Sequence, residues 1–283
     1  MEQSKLPMIE LHLHLDGAIP PETMWALAQE KKIPMPAETL EDFRRWLVET
    51  SDCADVNTYL ARFELPLQLM QDEKSIARVT KDLMTELSRQ GHIYDEIRFA
   101  PQLHRREGLT QRQAIEAVLE GRRQALAENP GYDAGILLCA MCIGPETVNM
   151  AENLETVRLA KEFLGRGVVG ADLAGAEGIV PLQSFHPVFD LARELGVPFL
   201  TFPAAELAAV PGQFSHSQKV LDVTGVGNVC ERAAVLASGL GVLLRGKARY
   251  PGVTFALARR KFFDHTEKAD PSMKNVSDTE AQA

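Results

Sequence analysis

The sequence predicts an α/β fold in which parallel strands alternate with helices. A strand-like run at Met8–His14 is followed, after Pro20-Pro21, by an amphipathic helix. Four more apolar runs recur down the chain with helix-patterned stretches between them, the βα signature. A hydrophobic fraction of 45% in 283 residues is enough to fill the core that such a fold needs.

In order, the further strands are expected at Ile93–Ala100, Gly135–Cys142, Val168–Leu173 and Val197–Phe202. Helices are expected between them at Gln111–Ala127, Val148–Leu164 and Ser184–Leu195. In the last of these Phe185, Val188, Phe189, Ala192 and Leu195 fall at helical spacing. An insertion, Ile33–Arg89, separates the first two strands and carries apolar stripes such as Tyr59, Phe63 and Leu67. It is too long for a plain crossover, and two readings stand: a helical pair packed outside, or a lid near the mouth of a site. After Phe202 the pattern changes: Leu207–Gly227 has no clear period, Arg245–Arg260 is basic and irregular, and Asp264–Ala283 is polar. Five βα units are therefore legible where a TIM-type barrel has eight, which predicts that barrel in the first two thirds and leaves it incomplete in the C-terminal third. The expected organisation is one barrel domain over residues 1–263 and a disordered tail over 264–283.

A net charge of −9 argues against nucleic acid or an anionic membrane as partner, since phosphate binding needs clustered Lys and Arg. A small neutral or cationic ligand fits better. The opening MEQSKLPMIE has no apolar h-region, and the longest apolar run, Ala233–Leu244, is too short to span a bilayer, so a cytoplasmic protein is expected. Four cysteines do not make a disulfide framework. Cys139 and Cys142 form a CAMC spacing inside a strand, where packing is expected rather than redox or metal chemistry.

The stretch IELHLHLDGAI places two histidines one residue apart. Side chains alternate on a strand, so His12, His14 and Asp16 share one face while Ile9, Leu11, Leu13 and Leu15 share the other. At the C-terminal end of a barrel strand the polar face points inward, where two imidazoles can bind one metal together. Glu96 and Arg98 also share a face, and an interior ion pair is expected of them.

ELHLHLDGAI, EIRFAPQLH (Glu96–His104) and GADLAGAE (Gly170–Glu177), in that order and spacing, resemble the adenosine deaminase family over Leu6 to about Thr201. The resemblance implies a TIM barrel with one catalytic Zn2+ and hydrolysis of adenosine to inosine and ammonia, a step of purine salvage. It makes His12 and His14 zinc ligands, places His14 and Asp16 beside the nucleoside, with the aspartate near the ribose, and makes Gly175 a backbone contact to the purine. Glu177 is compatible with an acid of the family pattern. The family's HAGE motif corresponds to TFPAAE, Thr201–Glu206, where Pro203 stands in the place of the metal-binding histidine and Ala205 in that of glycine. Glu206 matches the glutamate that protonates the purine ring as general acid. The family's GHG turn is missing, KVLDVTGVGNVCERAA from Lys219 being a scrambled echo of it. Its closing aspartate pair is echoed by ADPSMKNVSDTE, which offers Asp270 as a weak fourth ligand, and His216 is a candidate substitute ligand.

Three functions are compatible with this pattern. One is a zinc aminohydrolase acting on adenosine, impaired by Pro203; another is an inactive purine-binding relative; a third is an amidohydrolase acting on a different amine. The absence of a basic cluster near DLAGAE disfavours a phosphorylated substrate.

Overall fold

The computed structural model describes residues 8–49, 61–143, 149–175 and 180–201. Their strands are β1 (Met8–His14), β2 (His92–Phe99), β3 (Asp133–Cys142), β4 (Val168–Gly175) and β5 (Phe199–Thr201). The helices are α1 (Pro21–Lys31), α2 (Leu40–Glu49), α3 (Glu64–Leu69), α4 (Glu73–Gln90), α5 (Gln111–Glu128), α6 (Met150–Phe163) and α7 (His186–Leu195), with 3-10 turns at Pro101–His104 and Leu182–Phe185. All four strand pairings are parallel and the spatial order is β1-β2-β3-β4-β5, the order of the chain itself. That order is the one a TIM-type barrel requires.

Local chemistry fixes the helix ends. The Asp72 carboxylate accepts from the Ser75 amide at 2.8 Å and opens α4, which closes on Gly91 in the left-handed region. Thr110 and Gln113 form a capping box at the start of α5. Gly121 lets α5 lie against α4, because a Cβ there would collide with the Ala77 carbonyl.

The sheet has two distinct faces. Leu13, Leu15, Ile97, Phe99, Ile136, Leu138, Ala140, Ala171 and Leu173 pack with the helices in one large core. The alternate positions, among them Glu96, Arg98, Cys139 and Asp172, are buried on the opposite, inner face. Cys139 and Cys142 thus lie on opposite faces of β3, both buried, so they cannot share a metal and their role is packing. The Ser184–Leu195 segment is split, since the 3-10 turn precedes a helix that starts at His186. No helix among the described residues is long and apolar enough to cross a membrane.

Candidate active site

Strict alternation along β1 is broken at its centre. Glu10 registers with Asp95 and Leu13 with Ile97, so three steps on β1 match two on β2 and one extra residue is accommodated at Leu11–His12. Such a bulge takes backbone groups out of the ladder and re-aims side chains. Here the Glu10 carboxylate accepts from the His12 amide at 2.7 Å, and the Arg98 guanidinium donates to the Leu11 carbonyl at 2.8 Å. Beyond the bulge Leu13 and Leu15 enter the helix-side core as expected, and the ring of His14 lies near that of His12, which is part of the bulge, with centroids 5.6 Å apart.

Arg98 lies next to His14 in register and is fully buried. It makes an ion pair with Asp172 on β4, at 2.5 Å, a partner that alternation along β2 did not point to. Neighbouring same-face residues on one strand stand about 6.6 Å apart along it, whereas a long guanidinium can reach over the small Cys139, which registers with Asp172, to the next strand but one. Glu96 also accepts from the Tyr94 hydroxyl, at 3.5 Å.

These surroundings set the charge of the histidines. Partial burial, helped by the Arg98 charge, lowers both His12 and His14 to about 4, so both are neutral near pH 7, the form that can ligate a metal. Burial pushes Asp16 up to about 6 against the pull of its own and the Gly17 backbone amides. Among the described residues Asp16 Oδ1 is buried with no hydrogen-bond partner. A buried acceptor of that kind is costly unless a donor arrives.

Gly175, at the end of β4, has φ +117°, and a Cβ would meet the Cys142 carbonyl. The strand pairing therefore demands glycine there, whatever the backbone also touches. From the insertion, Phe63 packs edge-on to His14, ring centroids 6.5 Å apart, and would stand 3.2 Å from a Cβ at Gly17. That contact puts part of the insertion at the mouth of the site. Sequence reasoning had Phe63 only as part of an apolar stripe, and it assigned no role to Glu10 or Asp172. The available signals were a charged residue directly before LHLH and another inside GADLAG.

The structure thus brings His12, His14 and Asp16 to the C-terminal end of β1, and Gly175 to the same end of the parallel β4. Among the described residues no group of three or more His, Cys, Asp or Glu side chains is arranged to hold a metal, so the two histidines are a partial set. Glu177, Pro203, Ala205, Glu206, His216 and Asp270 lie outside the described residues, as does the polar tail.

Residues 7–215 match the sequence model of the family described as Adenosine deaminase. Residues 183–258 also match a second model, Cobalamin synthesis G C-terminus. The chain is 41% identical over 204 residues to the adenosine deaminase of Haemophilus ducreyi, covering 71% of this chain and 58% of that protein. It is 34% identical over 223 residues to the adenosine deaminase of Clostridium kluyveri, covering 79% and 62%. The chain thus spans about three fifths of the length of these relatives. Among solved structures, a Zn-bound amidohydrolase from Burkholderia ambifaria matches with TM-score 0.56 at 20% identity, over 69% of this chain and 51% of the other, a likeness of fold. With its βα order, its histidine pair and three quarters of its length matched to one family, the chain belongs to the adenosine deaminase family.

Proposed function

We propose that the chain is built for metal-dependent hydrolytic deamination of a purine nucleoside, adenosine being the substrate its relatives name. The observation that carries this reading is two neutral imidazoles beside a buried carboxylate with an unmet acceptor, at the C-terminal end of β1. The donor set fits zinc in chemistry, with His12 and His14 holding it and the remaining ligands to come from outside the described residues, where Asp270 is the weak candidate. Zinc, when bound, supplies a Lewis acid that brings the acidity of water near neutrality. Asp16 accepts a ribose hydroxyl, Phe63 covers one side of the pocket, the Gly175 backbone meets the purine, and Glu206 delivers a proton to the ring nitrogen. Pro203 has no nitrogen free to bind a metal, so turnover is expected to be lower by orders of magnitude than with histidine at that place.

Elemental analysis of purified parent, His12→Ala and His14→Ala tests the core of the proposal. Stoichiometric zinc in the parent alone supports it, and unchanged zinc in both variants refutes it. Loss of adenosine absorbance then reads activity. Pro203→His with Ala205→Gly is expected to raise both zinc affinity and turnover; a folded double variant that stays inert moves the lesion to the later ligands.

A second reading is favoured by the match of residues 183–258 to a different family. On that reading Pro203 and Glu206 belong to a segment of other origin, and the chain is an inactive purine-binding relative. Adenosine binding in calorimetry without ammonia release would select it.

A further inference from the structure

We infer that Glu10 and Arg98 are positioning residues that hold a β-bulge at Leu11–His12 in the shape that brings the two imidazoles of HLH together. The inference rests on the reading that His12 and His14 are the metal ligands and adds what aims them. A regular strand would place residues two apart on one face at about 6.6 Å, with the amides and carbonyls that face its neighbour engaged in the ladder. In β1 one residue too many is fitted between Glu10 and Leu13, after a shift of the opposite sense between Met8 and Ile9, so the bulge restores the register with β2.

At the bulge the Leu11–His12 peptide group turns its carbonyl to one side of the strand and its amide to the other, and both find side-chain partners. The donor, His12 N–H, goes to the carboxylate of Glu10 at 2.7 Å. The acceptor, Leu11 C=O, is met by Arg98 Nη2 at 2.8 Å. Both bonds are charge-assisted, the stronger class of hydrogen bond. The other arm of the same guanidinium is fixed by Asp172 Oδ2 at 2.5 Å, so a residue of β2 ties the bulge of β1 to β4. Asp172 belongs to this arrangement as the group that prevents Arg98 from turning away.

The ligand role and the clamp role are separable by experiment. Glu10→Ala, Glu10→Gln and the charge-neutral pair Arg98→Met with Asp172→Asn are made in the full chain, the pair avoiding a buried carboxylate left alone. Two readouts are taken: amide hydrogen exchange across residues 8–15, and zinc affinity by competition with a chelating dye. We expect exchange over His12 and Leu13 to quicken at least tenfold in Glu10→Ala and in the pair. Zinc should bind at least tenfold more weakly in both, and Glu10→Gln, which keeps an acceptor oxygen, should recover most of each loss. Folded variants with parental exchange over 8–15 overturn the inference, as does faster exchange with zinc affinity unchanged in a chain whose zinc is lost on His12→Ala. Zinc indifferent to His12→Ala sinks the ligand reading instead, and the exchange data and the Glu10→Gln recovery then still decide whether the clamp exists.

Discussion

Replacing Gly175 by alanine tests how tightly β3 and β4 are joined beneath the site. At φ +117° an L-residue is strained by about 1–3 kcal/mol. The new methyl would also strike the Cys142 carbonyl, in the ladder where Cys142 registers with Gly175. Backbone cannot rotate away as a side chain can, so relief requires the end of the strand pair to open, costing about 1–3 kcal/mol more. The sum is about 2–6 kcal/mol in unfolding free energy, read from urea denaturation followed by far-UV circular dichroism. Gly91→Ala is the control, for it shares the positive φ, +100°, but nothing lies within 4 Å of its Cβ position. It should cost only the conformational part. If Gly175→Ala is no more destabilising than Gly91→Ala, the close approach is not real, and glycine at 175 is there for a ligand alone.

His104 is fully buried and donates from Nδ1 to the Met70 carbonyl at 2.8 Å, while burial lowers it to about 4. Its folded value lies below its unfolded one, so its contribution is complete above pH 6.5 and is lost as pH falls from 6.5 towards 4, a change on the order of 3 kcal/mol. His104→Asn should flatten that part of the stability profile, and urea midpoints at pH 7, 5.5 and 4.5 that run parallel to the parent's would contradict it. Asn153 holds the end of β3 by accepting from the Met141 amide at 2.7 Å and donating to its carbonyl at 3.0 Å. Asn153→Ala strips the buried amide of its partner and should cost about 1–3 kcal/mol; an unchanged thermal midpoint would count against that role. Ile136→Ala, at a core position with no exposed surface, should cost about 2–5 kcal/mol, and a loss below about 1 kcal/mol would mean that the two sides of β3 are assigned wrongly.

Much of the fold was legible because periodicity reports burial. β1 runs over the very residues expected, and of the leucine face Leu13 and Leu15, beyond the bulge, enter the helix-side core while Ile9 is exposed. Alternation could not disclose the bulge, because an extra residue in one strand is visible only against its partner's register. The same limit hid the Asp172 partner of Arg98: its nearest same-face acid in sequence is Glu96, yet this contact comes from a strand some seventy residues on. Phe63 illustrates a third case, since a stripe shows that a helix face is buried and not what it is buried against. Of the candidate site, the pairing of His12 with His14 came from strand alternation, while Asp16 and Gly175 came only from the resemblance; Asp16 follows the end of β1 by two residues and Gly175 closes β4.

A sheet whose spatial order repeats its order in the chain also has a direction in time. Each strand after β1 pairs with one already synthesised, so the residues of the histidine pair, the Glu10 and Arg98 contacts and Asp172 are all present once β4 has been made. Among the described residues, these contacts are made by β1, β2 and β4 alone. In evolutionary terms the contacts between β1, β2 and β4 are encoded together, upstream of any exchange of sequence after β5. A chain that matches one family over residues 7–215 and another over 183–258 is the sort of lineage that this ordering permits.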